Sequence, residues 1–370
     1  MSISANKGEH SELLAFLRIL QLGKLQVADR EGKPKDAWLN VISLRRPSDP
    51  RLVFRVADRL IVVLDERGAQ VGEVDRGVVG QLADSLLSEI KSATGAAFAC
   101  ASSDKATELF NLSGAKASPS AKADLFLEVA SPVFEGEVSS LGFSVKSEIG
   151  GLPTLLNAGA TQFQYKIEEC SADEALAVQE EAPRAAGKVY PGPVRLLPAL
   201  KEAHAKVAFD SVVNPVFEQN LKMIDTAFPR ILAETLKYAY ATGELSLEEA
   251  VQCPEMLDEL VQVLALSKPM VARLVRHKMK ELLRQSALGM NPGRQWDGQV
   301  EAHGGWIIVK EDGAIVCFHL VNDDEFRDYL LCKTKFDTPS MTRQKSGYVY
   351  KSEEANCARL RLSLQIRFSK

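Results

Sequence analysis

The stretch Leu141-Gly-Phe-Ser-Val-Lys-Ser-Glu-Ile149 places one lysine within an apolar run that alternates as a β-strand does. Because successive side chains of a strand face opposite sides, Phe143 and Val145 are predicted to point away from Lys146. A lysine buried without a partner costs free energy. We therefore expect Lys146 to serve a site beside this strand.

A second strand is predicted about twenty residues earlier, in Ala123-Asp-Leu-Phe-Leu-Glu-Val129, and it begins with an acid. Hydrolysis of a phosphodiester needs a divalent cation, carboxylates that hold it and a lysine near the attacking water. Asp124 and Lys146 resemble the Asp…x-x-Lys skeleton of the PD-(D/E)XK nucleases. The usual second acid, two residues before that lysine, is here Ser144, so another residue must supply the charge.

Three glutamates are candidates for that second acid. Glu12 lies at the edge of the apolar face of an opening helix predicted from about Lys7 to Leu22, and Glu9 lies one turn earlier. Glu148 shares the strand face of Lys146. We favour Glu12, because its Lys-Gly-x-x-x-Glu spacing resembles the archaeal Holliday-junction resolvases, and a first-helix glutamate completes the metal site in several nucleases of the superfamily.

The resulting hypothesis assigns a role to each residue. Asp124 and Glu12 hold Mg²⁺ together with the Val145 carbonyl, and Lys146 orients or deprotonates the water and stabilises the developing charge. The alternative is a structural pair, in which Lys146 extends its stem along the sheet and Asp124 caps a turn.

Composition is that of an ordinary globular protein: 370 residues, of which 46% are hydrophobic and 25% charged. No apolar run approaches the ~20 residues of a membrane span, and we expect a cytoplasmic protein.

We predict an α/β core over 1–195, a helical subdomain over 196–290 and a β-rich C-terminal region over 291–370. Within these, helical periodicity is predicted throughout 196–288, with a capping box at Ser246–Glu249 and a final strand at Ala358–Phe368.

Formal net charge is −4, yet residues 331–370 carry nine Lys and Arg against three acids. This favours a confined DNA-facing surface or, equally, a solvated basic edge.

Blocks along nearly the whole chain resemble the HpaII-type restriction endonucleases. They are Asn6–Leu13, Leu22–Asp29, Gly142–Ser147, Thr154–Ala158, Asn220–Asp225, Trp296–Gly298, Gly304–Gly313, Thr338–Ser340 and Leu364–Phe368. The resemblance implies a restriction-endonuclease-like core with a central mixed sheet, a helical insertion and a C-terminal β-rich region. It also implies a prokaryotic type II enzyme that cuts double-stranded DNA at a short, CCGG-like palindrome with Mg²⁺, as a homodimer protected by a cognate DNA methyltransferase.

Two segments are candidates for DNA contact. The first follows the catalytic strand and offers small residues for close approach to a phosphate backbone. The second is a donor-rich loop suited to the major groove. The alternative for the first segment is the N-terminus of a helix, and the alternative for the second is a basic surface loop between strands. The candidate DNA-binding residues are Thr154, Asn157 and Thr161 in the first segment, and Thr338, Ser340, Thr342, Arg343 and Lys345 in the second.

Two other functions remain open from the sequence. One is a DNA-binding module that has lost cleavage, which Ser144 favours and Glu12 opposes. The other is a structure-selective resolvase or repair nuclease.

Overall fold

The computed structural model describes residues 4–114, 123–130, 138–151, 153–300, 302–319, 323–344, 346–352 and 357–369. Backbone contacts divide the chain into two compact units: unit 1 comprises residues 1–153 and 300–329, and unit 2 comprises residues 154–299 and 330–370. The predicted helical segment 196–290 falls within unit 2. The predicted three-part division stays a prediction.

Strands and helices alternate irregularly along the chain. The strands are β1 (Ser4–Ala5), β2 (Lys24–Ala28), β3 (Pro34–Arg45), β4 (Val53–Val56), β5 (Leu60–Leu64), β6 (Gln70–Asp75), β7 (Phe98–Ala99), β8 (Leu125–Ala130), β9 (Val138–Ser147), β10 (Thr154–Leu156), β11 (Gln162–Glu168), β12 (Lys206–Val212), β13 (Gly305–Val309), β14 (Ile315–His319), β15 (Thr334–Phe336), β16 (Val349–Lys351), β17 (Ala358–Ser363) and β18 (Ile366–Phe368). The helices are α1 (Lys7–Leu22), α2 (Arg76–Ser92), α3 (Ala101–Phe110), α4 (Ala172–Glu181), α5 (Pro193–Glu202), α6 (Pro215–Ile224), α7 (Phe228–Thr242), α8 (Leu247–Ala250), α9 (Pro254–Leu264), α10 (Lys268–Leu288), α11 (Asp323–Cys332) and α12 (Met341–Gln344).

Unit 1 is built on a mixed sheet in the order β2-β14-β13-β9-β8-β3-β4-β5-β6. The pairs β13–β9 and β14–β2 are parallel, whereas the other neighbours in this order are antiparallel. The central mixed sheet that the sequence predicted is therefore confirmed. Strand β2 also pairs with β3, so six of the strands pair in a closed ring.

Helix α1 begins and ends as its sequence predicts, at Lys7 and Leu22. The side chain of Asn6 accepts from the N–H of Glu9 while the Glu9 carboxylate accepts from the N–H of Asn6, which forms a capping box, and Gly23 ends the helix at φ 63°. Its apolar face lies in the core of unit 1, with Phe16 in edge-to-face contact with Phe54 and Phe110 at 4.9 and 5.8 Å. This packing fixes the helix against the sheet.

Unit 2 corrects three predictions. Residues Lys206–Val212 form strand β12, so helical structure does not run throughout 196–288. The side chain of Ser246 does not cap α8, which is a single turn of four residues. The backbone of Ser246 instead forms an isolated antiparallel β-bridge with Lys335. The final strand divides into β17 and β18, which belong to the sheets β12-β11-β17-β16 and β10-β18-β15. In the described ranges, no helix is long and apolar enough to span a membrane.

Candidate active site

Asp124 immediately precedes β8, opposite Ser144 of β9. The two strands are antiparallel with Leu125 facing Phe143, and the N–H of Asp124 donates to the Phe143 carbonyl at 2.8 Å. One carboxylate oxygen of Asp124, Oδ2, accepts from the N–H of Val145 at 2.7 Å and from the hydroxyl of Ser144 at 3.1 Å. The carboxylate is therefore held in one orientation by the strand that carries the lysine.

Burial raises the pKa of Asp124, against the lowering effects of the Lys146 charge and of the two hydrogen bonds. The positive charge of Lys146 thus favours the ionised form of the Asp124 carboxylate. The Lys146 ammonium also lies 5.5 Å from the centre of the Trp306 ring, on the neighbouring strand β13. The two residues that the sequence paired are neighbours in unit 1.

Glu12 faces the same site from α1. The pKa of Glu12 is raised to about 8, by burial first and by the charge of Asp124 second, against the lowering effect of the Lys146 charge. The carboxylate oxygen Oε2 of Glu12 is buried and has no hydrogen-bond partner among the described residues. The helix-edge position predicted for Glu12 is therefore that of a carboxylate turned inward, towards Asp124 and Lys146.

Arg46 is a neighbour of this site that sequence reasoning missed. Its guanidinium is 4% exposed, forms an ion pair with Asp49 at 3.0 Å and lies 5.6 Å from the centre of the Phe16 ring. The charge of Arg46 lowers the pKa of Glu12. An Arg and an Asp three residues apart in a turn look like a solvated pair, so only the long-range packing against α1 identifies this arginine.

The other two candidate acids are engaged elsewhere. Glu148 follows β9 and forms an ion pair with Lys310 at 2.8 Å. Glu9 accepts from the N–H of Asn6 in the capping box at 2.9 Å. Of the three glutamates, Glu12 is the one with a buried oxygen that lacks a hydrogen-bond partner within the described part of the chain.

A divalent cation fits the residues present. Buried carboxylate oxygens without hydrogen bonds are costly unless a cation or proton satisfies them, and Glu12 Oε2 is such an atom. Mg²⁺ binds through one or two carboxylates and retains several waters. Over the described ranges, no group of three or more His, Cys, Asp and Glu side chains is placed to hold a metal, so the donors here are two carboxylates and any backbone carbonyl beside them.

The candidate DNA-binding residues lie in unit 2. Thr154 is half-buried in β10, and Asn157 is exposed just after it. Thr161 is fully buried, and its hydroxyl donates to the Leu364 carbonyl at 2.7 Å, so this donor is not available at the surface.

The second segment leads into α12. Thr338, Ser340 and Arg343 are exposed, as a contact with DNA requires. Thr342 lies within the helix, and its side chain is outside the described part of the chain. Lys345 lies wholly outside the described residues.

Comparisons with known proteins extend over the whole chain. The family model described as HpaII restriction endonuclease matches residues 6–368. The Type II restriction enzyme HpaII of Haemophilus parainfluenzae is 30% identical to the chain over 374 aligned positions, which cover 99% of this chain and 98% of that protein. No solved structure matches the chain. The chain therefore belongs to the HpaII restriction endonuclease family and is a type II site-specific deoxyribonuclease.

Proposed function

We propose that this restriction endonuclease cleaves both strands of DNA at a short CCGG-like palindrome, with Mg²⁺ held by Asp124, Glu12 and the Val145 carbonyl, within a restriction-endonuclease-like fold. The observation that carries the metal assignment is the buried Oε2 of Glu12 beside Asp124 and Lys146, which has no hydrogen-bond partner among the residues that the structure describes. The CCGG-like site comes from the family resemblance alone.

The residues of the chain divide the work of hydrolysis. When bound, Mg²⁺ polarises the phosphoryl oxygen and neutralises developing negative charge. Asp124, whose Oδ2 is fixed by the Ser144 hydroxyl and the Val145 N–H, would hold the cation through its carboxylate. Lys146 orients the attacking water, takes part in its deprotonation and stabilises the charge that develops on the phosphate.

The proposal includes a cellular setting. A palindromic site is matched by a two-fold symmetric enzyme, so we propose a homodimer. A cognate DNA methyltransferase protects the host DNA, and both proteins act in the cytoplasm of a prokaryote.

Cleavage of a sequenced phage genome with and without Mg²⁺, followed by mapping of the ends, tests this function. We expect fixed ends at one short palindrome, only with the cation. Cutting at branched junctions alone would support a resolvase, and binding in Ca²⁺ without cleavage in Mg²⁺ would support a recognition module.

Three variants test the site. Lys146→Ala, Asp124→Asn and Glu12→Gln should each abolish cleavage while site-specific binding in Ca²⁺ buffer persists for at least Lys146→Ala. Full activity of any one of them would remove that residue from the assignment.

A further inference from the structure

The sheet β12-β11-β17-β16 of unit 2 has one apolar face and one polar face. Phe163 and Tyr165 of β11, and Leu360 and Leu362 of β17, are fully buried on the inner face. The side chains between them point the other way, because strand residues alternate. We call this polar side the outer face; its residues include Gln164, Lys166, Asp210, Tyr350, Arg359 and Arg361.

Gln164 organises the outer face. It is only 9% exposed, although it lies on the polar side of the sheet. Its Oε1 accepts from the Tyr350 hydroxyl at 2.8 Å and from Arg361 Nε at 3.3 Å, while its Nε2 donates to Asp210 at 3.0 Å. The Arg361 guanidinium also lies 5.1 Å from the centre of the Tyr350 ring. Arg361 is therefore oriented from two sides.

The charges of the outer face are unequally compensated. Lys166 and Arg359 share Asp210, at 2.9 and 3.7 Å. Arg361 has no carboxylate partner in the part of the chain that the structure describes, and only its Nε is engaged. Its two terminal nitrogens therefore form an unpaired positive fork held in a fixed orientation.

A fixed arginine fork matches a pair of acceptors in one plane. The O6 and N7 atoms of guanine in the major groove form such a pair, and bidentate contact by arginine is the commonest specific contact with DNA. A phosphate contact carries no sequence information and needs only a nearby cation, for which a mobile lysine suffices. A sheet face that only meets solvent does not need its arginine held in one orientation. The nearly buried Gln164 beneath Arg361 therefore favours a binding role for this face.

The outer face also adjoins the donor-rich segment that the sequence identified. Gln162, two residues before Gln164 on β11, donates to the carbonyl of Gln344 at the end of α12. The N–H of Gly347 donates to the Arg361 carbonyl at 2.7 Å. The exposed Arg343 of α12 thus belongs to a segment that is fastened to this sheet within unit 2.

We propose that the outer face contacts the DNA substrate and that Arg361 is a specificity-determining residue, recognising a guanine of the target site through its terminal nitrogens. Gln164 and Tyr350 act as positioning residues for this fork. The inference rests on the proposed function, since Arg361 can determine specificity only if the enzyme cleaves at a particular target sequence.

Arg361→Ala and Arg361→Lys test the inference, with Arg184→Ala as the matched control, because Arg184 is exposed in the loop just after α4 and, among the described residues, pairs only with Glu180 at the end of that helix. Binding is measured by gel shift in Ca²⁺ buffer, on duplexes that contain the mapped site or a scrambled version of it. We expect both Arg361 variants to bind the mapped site roughly 5- to 150-fold more weakly and the scrambled duplex within about 2-fold of wild type. Lysine keeps the charge but not the fork, so Arg361→Lys separates recognition from charge. Arg184→Ala should behave as wild type.

Two results would overturn the inference while leaving the proposed function intact. Equal losses on both duplexes, with a shallower salt dependence, would make Arg361 a phosphate contact. Unchanged binding by a variant with wild-type circular dichroism would make the outer face a solvated surface. Wild-type protein that cuts at no fixed site would instead overturn the proposed function, and this inference with it.

Discussion

Replacement of Glu12 by Gln should stabilise the metal-free protein at alkaline pH. The pKa of Glu12 is raised from 4.5 to about 8 by burial first and by Asp124 second, so the folded protein retains a proton that the unfolded chain releases. The contribution of this proton to the free energy of unfolding is therefore fully present below a pH of about 4.5, and it is lost as the pH rises to about 8. Glutamine has the shape of the protonated acid and does not ionise.

The magnitude follows from the two pKa values. At roughly 1.4 kcal/mol for each tenfold change in proton affinity, the full rise corresponds to about 5 kcal/mol. At pH 8, where the folded-state acid is half ionised, we expect Glu12→Gln to exceed the wild type in free energy of unfolding by about 4 kcal/mol. At pH 4.5 the difference should fall below about 1 kcal/mol.

Urea unfolding in EDTA buffer, followed by tryptophan fluorescence at pH 4.5 and pH 8, measures this difference. Mg²⁺ added at pH 8 should stabilise the wild type but not the variant, because it occupies the site only when the carboxylate is present. Glu148→Gln, which alters a carboxylate already paired with Lys310, is the control and should show no gain. An equal gain for Glu12→Gln at both pH values, or none at pH 8, would refute the electrostatic reasoning.

Three further variants test the surroundings of Asp124. Lys146→Met should keep the packing against Trp306 but lower single-turnover plasmid cleavage roughly 10²- to 10⁴-fold, with binding in Ca²⁺ unchanged; retained cleavage would exclude Lys146 from proton transfer. Ser144→Ala removes the 3.1 Å hydrogen bond to Asp124 and should slow the same step by roughly 10- to 100-fold, so an unaltered rate would show that the strand alone orients the acid. Glu148→Gln should cleave at close to the wild-type rate, and its inactivity would transfer the metal-ligand role from Glu12 to Glu148.

Local pattern predicted the elements that carry the site. The bounds of α1 are those that the sequence predicts, because apolar periodicity and end signals agree in this helix. The helical phase of α1 also predicted that Glu12 lies at the edge of the buried face. Strand β12 was mistaken for helix because its Lys-Val-Ala-Phe-Asp-Ser-Val pattern is short and lies between helical segments.

Contacts between distant parts of the chain were not predictable in the same way. Ser144 stood out as a missing acid, and only the β8–β9 register shows that its hydroxyl donates to Asp124. Arg46 packs on Phe16, thirty residues away in sequence, and its charge lowers the pKa of Glu12. A single sequence gives the face on which a side chain lies but not the partner that meets it there.

The additional pairing of β2 with β3 leaves the sheet of unit 1 asymmetric. Among the strands that the structure describes in this sheet, β6 (Gln70–Asp75) alone has a single partner. Backbone donors and acceptors on such a margin attract strands of other molecules and favour aggregation. Here Glu73 and Asp75 place negative charge along it, although Val71 is 58% exposed. When two molecules approach each other through this edge strand, their acidic side chains repel. The acids therefore disfavour edge-to-edge pairing of β6 between molecules at high concentration.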